Sequence, residues 1–350
     1  MHMADALISP TVGAIMWATT TGIVTYSAKK VQKELDESKV PLMGVLGAFI
    51  FAAQMINFSI PATGSSGHLG GAMILAILLG PHAAFLTMAS ILTIQALVFA
   101  DGGLLALGCN IFNLGFFPCF IAYPLIYKRI VKEGVNKKSI IIGTSLAAII
   151  GLQMGSLGVV LETFLSGITE LPFTAFLLLM QPVHLAIGIV EGMVTAAVIL
   201  FILKERPEII HSVPGGKELG TLSMKPVLIG LLVVALVTGG VVSWFASSDP
   251  DGLEWSIDKA AGKALETPEG IHSILAEVQK KIAILPDYNF KEAKPAAGEE
   301  AKEKEVAAWP SVDSGLSVAG IVGSLFTLLV AGSIGKLLQT LNRRQQKFSN

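Results

Sequence analysis

The chain has only two cysteines, Cys109 and Cys119, and both fall inside one apolar run. That count and setting exclude a disulfide framework and leave both as packing residues. Charged residues amount to 15% and the net charge is −1, so bulk charge points to neither nucleic acid nor a polyanionic partner. Several catalytic signatures are missing too. Without G-x-x-x-x-G-K-[ST] the chain binds no ATP through a P-loop of its own, and without H-E-x-x-H a zinc metalloprotease is disfavoured. Cys-x-x-Cys is absent, and no nucleophile elbow surrounds Ser65 and Ser66, so that Gly/Ser-rich run carries no esterase signal. A cleavable signal peptide is not expected, because a basic leading region is lacking and Ser9-Pro10 interrupts the start.

What the chain does have is long hydrophobic runs. Apolar residues make up 52%, and the pattern predicts an all-α, polytopic membrane bundle of nine crossings of a hydrocarbon layer of ~30 Å. The runs are 10–25, 41–60, 69–80, 82–100, 109–127, 139–165, 182–203, 227–245 and 315–338. Ser9 and Pro10 form a helix-start signal. Residues 173–180 are too short to cross and read as re-entrant or interfacial. Residues 1–210 form one unit of seven crossings, 211–226 a cytoplasmic linker, and 227–350 a second unit of two crossings around an outer loop. Within that loop, 291–305 is rich in Ala, Lys, Glu and Pro and reads as disordered.

Basic residues orient the bundle. Lys29, Lys30, Lys33 and Lys39 place the first loop inside and the amino terminus outside. Counting 69–100 as two crossings keeps the basic cluster after Tyr127 inside, whereas one crossing would put it outside. The groups around Lys204 and at the carboxyl end then also fall inside, 17 of 25 basic residues in all. The amino terminus, the loop carrying His68 and the turn at Asp101 therefore share the outer face.

That shared face gives the first residues a chemistry. The Met1 amine, the His2 backbone nitrogen and the His2 imidazole can close two small chelate rings on one ion. An ionised amide in the set suits a square-planar ion such as Ni(II) or Cu(II). Three nitrogens leave one corner, which His68 in Gly64-Ser65-Ser66-Gly67-His68-Leu69-Gly70-Gly71 can fill. His2 is bulky, so aminopeptidase should spare Met1; the clamp requires loss of the formyl group. Polar residues within apolar runs are costly and often functional. Gln95, Asn110 and Asn113 are candidates for support beneath the metal loop. His184 and Glu191, seven apart on one helical face, are expected to lock to each other.

These stretches carry a resemblance. Met1 to Pro10, the Gly64–Gly71 loop, Phe99-Ala100-Asp101-Gly102-Gly103 and Asn110-Ile111-Phe112-Asn113-Leu114-Gly115 together resemble the CbiM/NikM family, the substrate-binding membrane components of energy-coupling-factor transporters for cobalt and nickel. Asp249-Pro250-Asp251-Gly252-Leu253-Glu254-Trp255 is similar to the PDGLE segment of the small NikN/CbiN-type subunit, here fused. The resemblance implies metal ligands at Met1, His2 and His68; Asp5, Ser66 and Asp101 join Gln95, Asn110 and Asn113 as candidate supporting positions around them. It implies partners as well: a transmembrane coupling subunit and cytoplasmic ATPase subunits, in agreement with the missing P-loop. Ala48-x-x-x-Ala52 is a small-residue face that such a partner could use, although packing within the chain is the stronger expectation. The expected activity is import of Ni2+, with Co2+ uptake for cobalamin synthesis or a metal receptor without transport as alternatives. An enzyme is not expected.

Overall fold

The computed structural model describes residues 1–34, 39–131, 136–206, 225–262, 268–291 and 309–349. The expected linker at 211–226 lies outside these except for its last two residues. So does the stretch 291–305, except for Lys291.

Helix α1 (Pro10–Glu34) starts at the proline whose missing N–H costs nothing there, with Ser9 Oγ accepting from the Val12 amide at 3.4 Å. Helix α2 (Val40–Gln54) stops short of the expected residue 60. The chain turns at Met55 and forms a hairpin instead, β1 (Phe58–Ile60) against β2 (Ser65–Gly67), with Ser59 opposite Ser66. The irregular segment 68–71 leads into α3 (Ala72–Leu79), and Pro81 opens α4 (Pro81–Val98).

With eight residues, α3 is about 12 Å long and too short to cross a bilayer. As a helix, then, 69–80 falls short of the crossing expected of it. His82 lies edge-on to Tyr26 with ring centres 5.4 Å apart and bonds Ser27 at 3.3 Å, which puts the start of α4 beside the far end of α1. The other end of α4 returns to the level of the amino terminus. Residues 68–79 thus carry the chain from one end of the bundle to the other, partly as irregular backbone.

Helix α5 (Leu107–Val131) takes wider, π-type spacing over Phe112–Tyr127, the stretch holding Pro118 and Pro124, which cannot donate to a regular ladder. Asn136 and Ser139 cap α6 (Lys137–Ser166) reciprocally. Helix α7 (Phe173–Glu205) is continuous for 33 residues. Residues 173–180, expected to be a separate re-entrant piece, are its first two turns. Gly188 and Gly192 let α6 approach closely, since a Cβ at either would meet Ile149 Cα at 2.9 Å or Ser145 Cα at 2.6 Å. The remaining helices are α8 (Lys225–Gly240), α9 (Gly252–Ala261), α10 (Ile271–Ile282) and α11 (Ser314–Ser349).

Among the described residues five helices, α4 to α7 and α11, are long and apolar enough to cross a membrane, and α2 and α8 are apolar but shorter. Large side chains on α7 face outward, Leu178 and Phe201 being about two-thirds exposed (66% and 65%), as on a surface solvated by lipid. The last two apolar helices pack on the first unit. Ala48 and Ala52 are fully buried against Ala235 of α8, so their small face is filled within the chain and is not free for a partner subunit.

Candidate metal centre

The amino-terminal segment runs into the bundle as extended chain and a single turn, Asp5–Leu7, before α1 begins. Its backbone is gripped on both sides. Asn110 accepts from the Met3 amide at 2.7 Å and donates to the Met3 carbonyl at 3.2 Å, and the Gly103 amide bonds the same carbonyl at 2.9 Å. Asp5 accepts from the Ala106 amide at 2.9 Å. Only glycine fits at position 103, where a Cβ would stand 1.9 Å from the Asp5 carboxylate. These contacts explain why Met3, Leu7 and Ile8 are all but fully buried, 0–1% exposed, at a chain end that ordinarily frays.

The grip brings the expected ligands together. The Met1 amine is 3.1 Å from His68 Nε2, and the imidazoles of His2 and His68 stack with centres 5.1 Å apart. Metal–nitrogen bonds of about 2 Å give a square plane an edge of roughly 2.8 Å, so Met1 and His68 stand close to the spacing of two neighbouring corners. The tautomers suit the task as well. His68 Nδ1 lies 3.0 Å from the Leu69 carbonyl, which can only accept, so Nδ1 carries the proton and Nε2 the lone pair. His2 Nε2 donates to Gln95 Oε1 at 3.1 Å, which leaves Nδ1, the nitrogen able to close a chelate ring with its own amide.

A hydrogen-bonded chain joins the two histidines behind the site. Gln95 Nε2 donates to Gln54 Oε1 at 2.9 Å, and Gln54 Nε2 donates to the Gly70 carbonyl at 2.8 Å. The Gly70 and Gly71 amides donate to the Glu191 carboxylate at 2.8 and 3.1 Å. Glu191 therefore anchors the His68 loop and is not locked to His184, whose Nδ1 bonds the Met180 carbonyl instead. Asn113 lies one layer lower, donating to Glu162 at 2.6 Å and facing the Met3 sulfur at 3.9 Å. Asp101 is 3.4 Å from His2 Nδ1 and accepts from the Tyr288 hydroxyl.

Asp251 is the contributor that sequence reasoning missed. It was read only as part of a motif marking the second unit. Its carboxylate is 3.0 Å from the Met1 amine, while its other oxygen caps α9 through the Leu253 and Glu254 amides, each at 2.8 Å. The segment is held by strand-like pairing to β2: the Ser66 amide donates to the Pro250 carbonyl at 2.8 Å, and Ser66 Oγ donates to the Asp249 carbonyl at 2.8 Å. The available signal was the motif's leading acidic residues, unusual in an apolar chain, beside a proposed cation site.

Electrostatics favour a cation throughout. Burial lowers the pKa of both His2 and His68, in His68 reinforced by the terminal amine, so both rings are neutral near pH 7. Burial alone would raise the Asp251 carboxyl. The terminal amine, His68 and the Glu254 amide together outweigh it and hold the group well below the usual carboxylate range. Outside the centre opens a vestibule of about 920 Å3 reaching His2 and His68. Its walls carry Asp5, Asp101, Asp249, Asp251, Glu254 and Asp287, with no lysine or arginine among the described residues that line it.

A bundle of apolar helices with a nitrogen cluster buried beneath an acidic vestibule has the architecture of a multi-pass membrane protein. Residues 2–209 match the family model described as the cobalt uptake substrate-specific transmembrane region, and residues 225–340 match the PDGLE domain. The chain therefore belongs to the CbiM family, fused to a PDGLE domain: it is a substrate-specific transmembrane component of cobalt/nickel uptake of the energy-coupling-factor type.

Among similar proteins, one of Archaeoglobus fulgidus, provisionally named fused nickel transport protein NikMN, is 29% identical over 97% of this chain and 100% of its own length. A provisionally named metal transport protein of Haloquadratum walsbyi is 33% identical over 61% of this chain and 94% of its own. A crystal structure described as a transition metal transporter superposes with a TM-score of 0.53 at 33% identity, over 59% of this chain and 95% of that one.

Proposed function

We propose that the chain captures Ni2+ from the extracytoplasmic side and delivers it inward with a transmembrane coupling subunit and cytoplasmic ATPase subunits. The ion sits in a square plane made by the Met1 amine, the His2 amide and imidazole, and His68. The observation that carries this reading is the 3.1 Å approach of the Met1 amine to His68 Nε2, beside a stacked His2 ring whose Nε2 is engaged by Gln95. The charges balance as well. A doubly charged ion beside one ionised amide and the Asp251 carboxylate is close to neutral, which lowers the cost of seating it in a buried place.

Nickel is preferred to cobalt because an all-nitrogen plane with an ionised amide favours it. A relative that matches over 97% of this chain also bears a nickel name. Cobalt uptake for cobalamin synthesis is the second reading, supported by the family's description. In this arrangement nine passages through the bilayer, seven in residues 1–210 and two in 227–350, set the amino terminus outside and the carboxyl end inside. The acidic vestibule is then the entrance, where it concentrates cations and speeds their arrival.

The test is to add one residue before Met1. The extension moves the free amine out of chelating position and leaves the helices untouched. High-affinity nickel binding by calorimetry should vanish while the melting temperature in detergent stays the same. An unchanged affinity would overturn the clamp.

A further inference from the structure

His184 is the one imidazole near the centre that the four-nitrogen plane leaves unused. It lies on α7, 1% exposed, with Nδ1 2.8 Å from the Met180 carbonyl. That carbonyl only accepts, so Nδ1 bears the proton and Nε2 is a lone pair. Among the described residues Nε2 has no hydrogen-bond partner, although a buried acceptor is costly to leave unmet. This is how a working histidine is held in a metal centre: a backbone carbonyl fixes the tautomer, and the opposite nitrogen is turned to the metal or to something the metal binds.

His184 lines a small cavity of about 10 Å3, room for the centre of a single water. Met1, His68 and Asp251 line its polar side, and Leu114, Leu152 and Ile187 its apolar side. Gly252 forms another wall: a Cβ there would stand 2.5 Å from Val183 and 3.5 Å from His184 Cε1. The PDGLE segment thus closes a one-water chamber between α7 and the corner of the plane made by Met1 and His68.

We propose that His184 sets the axial position of the metal centre. Its Nε2 accepts a hydrogen bond from a water that binds the open face of the ion inside this chamber. The inference rests on the four-nitrogen plane described above and adds a specificity residue to it. In a strong nitrogen plane, d8 Ni(II) has a filled orbital along the axis and gains little from a fifth ligand. Low-spin d7 Co(II) has a single electron in that orbital and takes one axial ligand readily. A supported axial water therefore stabilises bound cobalt more than bound nickel and narrows the preference for nickel that the plane alone would impose.

The test uses the full chain with a free amino terminus, titrated separately with Ni2+ and Co2+, together with the electron paramagnetic resonance spectrum of the anaerobic Co(II) form. His184→Leu keeps the volume and removes the acceptor; His184→Gln restores one. For His184→Leu we expect roughly tenfold weaker cobalt binding, nickel binding unchanged within a factor of about three, and a changed cobalt spectrum. His184→Gln should recover part of the cobalt affinity. The nickel titration doubles as the control for folding. Equal losses for both metals, or an unchanged affinity ratio and spectrum, would overturn the axial role while leaving the plane standing. A wild-type chain that binds neither metal tightly would instead sink the plane itself.

Discussion

The carboxylate of Asp251 lies 3.0 Å from the amine of Met1, across 250 positions of sequence. This contact makes the two family segments one site, because the amine is both the first proposed ligand and the point at which the PDGLE segment touches it. With no ion present, Asp251 steadies a buried ammonium. With an ion present, the same carboxylate lies next to the charge that replaces it. Asp251→Asn should therefore weaken nickel binding by about 10- to 100-fold, the range seen when a supporting contact to a metal ligand is lost. Asp249→Asn, which alters bonds only to Ser59 and Ser247, is the matched control and should leave affinity nearly unchanged. Calorimetric titration of both variants checks this.

His68→Ala removes a corner of the plane and leaves three nitrogens from the first two residues. Affinity should fall by more than the roughly 100-fold ceiling for supporting contacts, and the absorption bands of the bound nickel should shift as a weaker donor takes the corner. An unaltered spectrum would mean that another residue supplies the fourth ligand.

The proximity of Met1, His2 and His68 is legible in the sequence, and the reason is local. Met1 and His2 are adjacent, so their chelate rings follow from covalent geometry alone. His68 sits in a Gly/Ser-rich loop that the basic-residue pattern puts on the same face. What could not be read was which groups meet across long loops. Gln95 stands out as a polar residue in an apolar run, but its link through Gln54 from His2 to Gly70 depends on how α2 and α4 pack. Glu191 was paired with His184 by helical spacing, whereas its carboxylate is taken by two loop amides that no periodicity records. The run 69–80 reads as a crossing because two passes through 69–100 keep the basic cluster after Tyr127 inside, and its residues are apolar enough to allow it. Hydropathy alone does not separate a buried half-helix from a full span.

The pH dependence follows from which groups hold protons. The folded pKa values of His2 and His68 are lowered, chiefly by burial, so both imidazoles are already deprotonated near pH 7 and release nothing when an ion binds. The terminal ammonium and the His2 amide must each lose a proton, so nickel binding at neutral pH should release about two. Affinity should rise with pH and fall as acid competes. Titrations in buffers of different ionisation enthalpy measure the number directly. A value near four would mean that the imidazoles are charged in the metal-free protein.

Glu191 offers a test of the loop separately from the ligands. Its two oxygens accept from the Gly70 and Gly71 amides at 2.8 and 3.1 Å, and Gly71 is held at φ 79°. Glu191→Gln turns an amide N–H2 toward one of those donors, leaving it unmet at about 1–3 kcal/mol. The melting temperature should drop by a few degrees, and nickel binding should weaken, because the loop that presents His68 loses an anchor. A variant with a lower melting temperature and full affinity would show that the Gln54 and Ser66 contacts hold His68 unaided.

Orientation in the membrane can be read by chemical labelling, because the native thiols stay out of the way: Cys109 and Cys119 are both buried. Position 3 is a poor reporter, since Met3 is fully buried. Ser248 is exposed beside the PDGLE segment, and Lys33 is exposed at the opposite end of α1. Ser248→Cys should react with a membrane-impermeant maleimide added to intact cells, and Lys33→Cys should react only after the membrane is opened. The reverse pattern would put the acidic vestibule and the Met1–His68 centre on the cytoplasmic side. The vestibule would then face the compartment into which an importer must release its ion, and the direction of transport proposed for this chain would have to be abandoned.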